Sequence, residues 1–188
     1  MGKLLRLILI KFDHFLSKLQ GVKTFTHNPE CILRYKVIKR DGKVLIELHL
    51  WNEHIPQVPP DGTDLFWGKR FQKLLFNSLK ELVIFIENSP FKDVEWFIGE
   101  IAFFFKDQDK VVRFLKKIGF EVYPLEGRNM FQKFFIFLQN CYSFLLIYAY
   151  NPNSLKGKDF WRGKRYKLFI RKDIIRDAYE ETQKVYKT

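Results

Sequence analysis

Glu47, His49 and Asn52 are the residues here whose types and spacing come nearest to chemistry. They sit in the segment Val44-Leu45-Ile46-Glu47-Leu48-His49-Leu50-Trp51-Asn52. A strand period of two puts Val44, Ile46, Leu48 and Leu50 on one face, which suits a core. Glu47, His49 and Trp51 then share the other face. A carboxylate beside an imidazole can hold its tautomer, the arrangement used for general acid–base work. His49 would be the base and Glu47 its orienter. Asn52, Trp51 and His54 follow at the strand end, where a ligand would be met. The same residues also suit an ordinary solvated strand with Asn52 capping the exit turn, and no nucleophile or electrophile accompanies them.

Other chemistries find less support. None of His14, His27, His49 and His54 forms a His-x-x-x-His pair. His27 and Cys31 have Pro29 between them and no second ligand pair. Cys141 lies in an apolar run, where cysteine acts as a small hydrophobe. There is no Gly-rich phosphate loop and no Gly-x-Ser-x-Gly elbow. Asp107-Gln108-Asp109 falls where a helix should begin, so capping accounts for it. No metal and no cofactor is expected.

Charge is the larger signal. Between Leu155 and Lys172 stand Lys156, Lys158, Arg162, Lys164, Arg165, Lys167, Arg171 and Lys172, against Asp159 alone. Phe160, Trp161 and Tyr166 are interleaved. An echo, Phe66-Trp67-Gly68-Lys69-Arg70-Phe71, adds Lys69 and Arg70. Phosphate oxygens are the natural partners of such a surface, on a lipid or on nucleic acid. Trp beside Lys and Arg suits a membrane interface. No groove-binding or single-strand motif is present, so nucleic acid is the weaker alternative. A Lys-rich composition that only solvates the surface is a third reading.

These features need a scaffold. The 188 residues suit one domain, and 47% apolar content with 21 Phe provides a core. That apolar content excludes a disordered chain, and Lys+Arg of 33 against Asp+Glu of 21 gives a net charge of +12. Two cysteines argue against a disulfide framework and for a reducing, cytoplasmic setting. From about residue 3 to 20 an amphipathic helix is predicted. Leu5, Ile8, Leu9, Phe12, Phe15, Leu16 and Leu19 form its stripe, with Lys3, Arg6, Asp13, His14 and Lys18 on the other side. It either docks on the core or lies on the inner face of a membrane. Phe134 to Tyr150 is shorter than a span and carries Gln139, Asn140 and Ser143, so it is read as a buried core helix.

The remaining elements are locally signalled. Asp41-Gly42 joins two β-branched runs as a hairpin. A loop with Pro56, Pro59 and Pro60 precedes a helix over Leu65 to Asn88, with Asp61, Thr63 or Asp64 as cap. A strand at Val94 to Phe105, a helix closed by Gly119 and a strand at Phe120 to Pro124 read as a βαβ unit. Asn129 starts the aromatic helix, Tyr166 to Ile170 is a last strand, and Asp173 caps a short final helix. The expectation is a single α+β domain over 1–188. It would hold a mixed β-sheet with a β-hairpin and a βαβ unit, and helices packed on it.

The chain resembles the YkoP-like domain family, bacterial proteins found alone or attached to polysaccharide deacetylases. The resemblance rests first on Glu47-Leu48-His49-Leu50-Trp51-Asn52-Glu53. Ile8 to Leu19, Gly119-Phe120-Glu121-Val122, Asn151-Pro152-Asn153 and Ile174-Ile175-Arg176-Asp177-Ala178-Tyr179 extend it. It implies an accessory module in cell-envelope polysaccharide or lipid-linked metabolism, near envelope-polymer enzymes. It transfers no catalytic residues.

Overall fold

Asp41 and Gly42 both adopt positive φ, 51° and 75°, as a two-residue hairpin turn requires. They join β1 (Leu33–Arg40) to β2 (Lys43–Leu50) in an antiparallel pair that places Arg34 opposite His49 and Lys36 opposite Glu47. The computed structural model describes residues 2–177, so Ala178 and Tyr179 of the resemblance lie outside the described residues.

The chain opens with α1 (Gly2–Leu19) ahead of this hairpin. After it, Asp64 accepts the Trp67 amide at 2.6 Å and starts α2 (Leu65–Glu87). Next come β3 (Trp96–Phe103), α3 (Gln108–Lys117), β4 (Glu121–Pro124), α4 (Met130–Tyr150) and β5 (Lys164–Arg171). Gly119, at φ 96°, closes α3 as a Schellman motif: its amide returns to the Lys116 carbonyl and that of Phe120 to Leu115. Residues 172–177 turn helical, with Asp173 inside the turn rather than ahead of it.

One mixed sheet results, ordered β1-β2-β3-β5-β4. β2 and β3 are parallel neighbours, so β2–α2–β3 is a directly paired βαβ unit. The expected unit from β3 through α3 to β4 takes a split form, because β5 lies between those strands, antiparallel to both.

The sheet has two unlike faces. On one, Leu33, Tyr35, Ile46, Phe97, Val122 and Ile170 pack against Leu75, Leu79, Leu82 and Ile86 of α2 and Leu115 of α3. Each such side chain contributes roughly 1.5–3 kcal/mol when fully buried. Ser78 is the buried polar exception on α2: its hydroxyl donates to the Leu74 carbonyl and accepts from the Ile32 amide.

On the other face lie α1 and α4, side by side and antiparallel. Arg6 Nε donates to the Ala149 carbonyl at 2.9 Å, and Phe12 meets Tyr142 edge-on. Among the described residues of α1, the one fully buried is Asp13, at 4% exposure. The predicted apolar stripe faces outward instead, with Phe15 61% and Leu19 71% exposed and Leu5, Ile8 and Phe12 also open. The reading of α4 as a buried core helix is likewise corrected. Met130 (80% exposed), Phe131 (70%), Phe134, Phe135, Phe137 and Leu138 point away from the protein. What α4 buries is Asn140, Ala149 and Tyr150. The sheet face beneath carries charged groups (Arg34, Glu47, His49, Glu100 and Arg165) among apolar ones such as Ile98, and α4 meets it through Asn140 and Ser143 at Arg165 and through Phe144 against the buried Phe104.

Candidate functional site

The buried polar layer begins with Asp13. Its carboxylate accepts the Tyr142 hydroxyl at 2.6 Å and the Tyr150 hydroxyl at 2.9 Å, with Asn52 Nδ2 at 3.4 Å. Burial first, then the Asp13 carboxylate, pushes both phenols well above their ordinary range. Both therefore stay neutral donors. The Arg34 charge acts on the same two hydroxyls in the opposite sense.

Arg34 connects this cluster to the pair found in the sequence. It stands across from His49 in the hairpin, and His49 Nε2 is 3.5 Å from Glu47 Oε2. Lys36 Nζ approaches the same carboxylate at 3.7 Å. The His49 imidazole holds the Glu47 carboxyl below its usual range, aided by Lys36 and opposed by partial burial. Glu47 and His49 are thus together on one strand face as expected, opposite the core residues Ile46 and Leu48. The pair can exchange a proton, but its imidazole faces the carboxylate at a distance just beyond a good hydrogen bond.

Asn52 belongs to the cluster through Asp13, whereas Trp51 and His54 have a different role. Their rings stack on each other at 3.7 Å, and the His54 Nδ1–H donates to the Cys31 carbonyl at 2.8 Å. Expected as ligand contacts, these two instead brace the exit from β2. Beside them, Glu53 pairs with His14 of α1.

A cavity of about 480 Å³ opens where α1 ends. Arg34 lines it together with His14, Lys18, Lys23 and Glu53.

The basic residues divide. Arg165 is corrected from surface to interior: its guanidinium donates to the Gln139 carbonyl and the Ser143 hydroxyl, each at 2.8 Å, and to Asn140 Oδ1 at 3.3 Å. Glu100 lies 3.8 Å from it. It cannot contact a membrane and serves to pin α4 to β5. Lys158 is also partly withdrawn, its ammonium donating to Ser154 Oγ at 2.5 Å. Burial lowers its pKa. Lys156, Lys164, Lys69 and Arg70 remain exposed, and Arg162 lies 3.3 Å from Asp159.

Trp161 is 83% exposed and meets Phe160 edge-on; Phe160 packs on Phe137 and Phe144 of α4. Trp161 and Arg162 therefore extend the outward face of α4. At the other end of that helix, the Pro56 carbonyl accepts both Asn151 Nδ2 and Trp67 Nε1. This ties the exposed Leu65, Phe66, Lys69 and Arg70 to the end of α4.

Sequence reasoning missed Asp13, Arg34, Tyr142 and Tyr150. A signal for Arg34 existed, since a two-residue turn at Asp41-Gly42 dictates that it stands across from His49. Among the described residues, no three His, Cys, Asp or Glu side chains gather as metal ligands would. Comparison with family models, curated proteins and solved structures finds no match to this chain.

Proposed function

We propose that this chain is a peripheral membrane protein that lays α1 and α4 into the surface of an anionic leaflet and binds a phosphate-bearing ligand there. The observation that carries the reading is the inverted helix pair, polar toward the sheet and apolar toward solvent. Soluble monomers seldom expose apolar patches of this kind without a partner. Each half-exposed Phe or Leu that leaves water contributes on the order of 1 kcal/mol. Lys3, Lys11 and Lys18 of α1 and Arg162 beside Trp161 are exposed and add about 1 kcal/mol each near anionic lipid. Trp161 suits the headgroup level.

Lying on the membrane is favoured over crossing it. Although α4 is long and apolar enough for a span, its inner side is bonded to Arg165 and Asp13 and held along the sheet. The two cysteines suit a reducing setting, so the surface would be the cytoplasmic face of the cell membrane, and the YkoP-like resemblance supplies the pathway. The work would be accessory to cell-envelope polysaccharide or lipid-linked metabolism.

Vesicle flotation at physiological salt tests this. The full chain should float with anionic vesicles, resist a nucleic-acid competitor and float weakly with neutral ones. Failure to float, with a stable dimer in sedimentation, would overturn the reading and assign the apolar face to a second copy.

A further inference from the structure

Two buried side-chain nitrogens among the described residues lack a hydrogen-bond partner, Arg34 Nε and His49 Nε2. They belong to residues that face each other across β1 and β2. A buried donor left unpaired is costly, and while His49 Nε2 has the Glu47 carboxylate 3.5 Å away, Arg34 Nε marks a place where an acceptor oxygen is wanted. The oxygens of Asp13 are engaged by Tyr142, Tyr150 and Asn52. Glu47 is drawn to Lys36 and His49. Arg34 itself forms no ion pair among the described residues.

Arg34 also opens into the 480 Å³ cavity at the end of α1. The other charged groups on its wall are His14, Lys18, Lys23 and Glu53, and Glu53 is paired with His14. The wall is therefore net cationic. The α1 carboxyl end, which would repel an anion, is muted: the Gly21 and Val22 amides return to the Lys18 and Ser17 carbonyls. Next to Ser17 and Lys18 on the wall, Phe15 and Leu19 belong to the outward apolar face.

We infer that this cavity binds a phosphate monoester, with Arg34 as its principal donor, His49 behind it and Lys18 and Lys23 at the mouth. A lipid headgroup and a soluble phosphate share that chemistry. The position beside Phe15 and Leu19 fits the lipid, whose acyl chains would follow the apolar face. This lipid arm rests on the membrane reading; the soluble arm does not.

Calorimetry with glycerol 3-phosphate and flotation with phosphatidic acid vesicles, against phosphatidylglycerol vesicles of equal surface charge, separate the two sources. Saturable glycerol 3-phosphate binding without vesicle preference assigns a soluble ligand, and preference for phosphatidic acid assigns the headgroup. In either arm, Arg34→Gln should weaken binding by about 10-fold or more, as loss of a charge-assisted hydrogen bond does. Flotation on phosphatidylglycerol should persist in that variant. Saturable binding in neither arm, or unchanged affinity in Arg34→Gln, overturns the site even if the protein still floats. Should Arg34→Gln fail to fold, Lys18→Gln combined with Lys23→Gln, both exposed in the parent, carries the test. Those two should weaken binding several-fold, and unchanged affinity would equally reject the site.

Discussion

The two helical layers on this sheet are built with opposite polarity. Toward α2 and α3 the interface is aliphatic and aromatic, and Ser78 satisfies its own hydroxyl locally. Toward α1 and α4 the interface adds ionic and hydrogen-bonded groups to a smaller aromatic cluster of Phe104, Phe144 and Phe160. Asp13 holds two tyrosines, and Arg165 reaches three groups of α4. The apolar residues of these two helices are instead on the outside. Both layers show an apolar stripe in sequence. A stripe identifies which side of a helix avoids water; whether a core or a lipid surface meets it is decided by the side of the sheet beneath.

Three variants probe that contrast. Leu82→Ala, in the aliphatic layer, should cost about 2–5 kcal/mol in denaturant unfolding while vesicle affinity per folded molecule stays the same. A cost below about 1 kcal/mol would mean that this layer is not the main stabilising core.

Asp13→Leu comes next. It makes α1 more apolar, yet it should destabilise by about 1–3 kcal/mol for each tyrosine hydroxyl it strands. A more stable variant would show that the buried polar layer is dispensable. This substitution also has a pH signature. The folded pKa values of Tyr142 and Tyr150 lie above their unfolded value of 10.0. Stability from these groups is then complete below pH 10 and lost as pH rises further. The parent should therefore lose stability on the alkaline side, and a variant lacking the carboxylate should lose less.

The smallest effect on stability belongs to the outer face. Phe131→Ser with Phe135→Ser should shift unfolding by no more than about 0.5 kcal/mol per site, yet reduce vesicle binding several-fold. A large stability loss with unchanged binding would invert the comparison.

What was legible in the sequence follows from range. The Asp41-Gly42 turn, the Asp64 cap and the Gly119 stop act within a few residues, and each appears where its local chemistry places it. The core side of β2 was equally plain, because a period of two separates Ile46 and Leu48 from Glu47 and His49. Asp13 was grouped with Lys3, Arg6, His14 and Lys18 as solvent-facing. Its inward turn depends on tyrosines 129 and 137 positions away, which no local pattern registers. Arg165 was lost in a run of cations. The alternation of β5 sends it toward α4, while Tyr166 enters the opposite core.

The distance between Asp13 and Tyr142 also bears on how the molecule is made. On a ribosome adding ~5–20 residues per second, α1 emerges on the order of ten seconds before the helix that will hold it. Throughout that interval its apolar stripe is free and its sheet is incomplete, since β5 follows α4 in the chain. A nearby bilayer would be the first surface the nascent helix meets, so membrane contact can precede the fold and shelter the segment until α4 arrives.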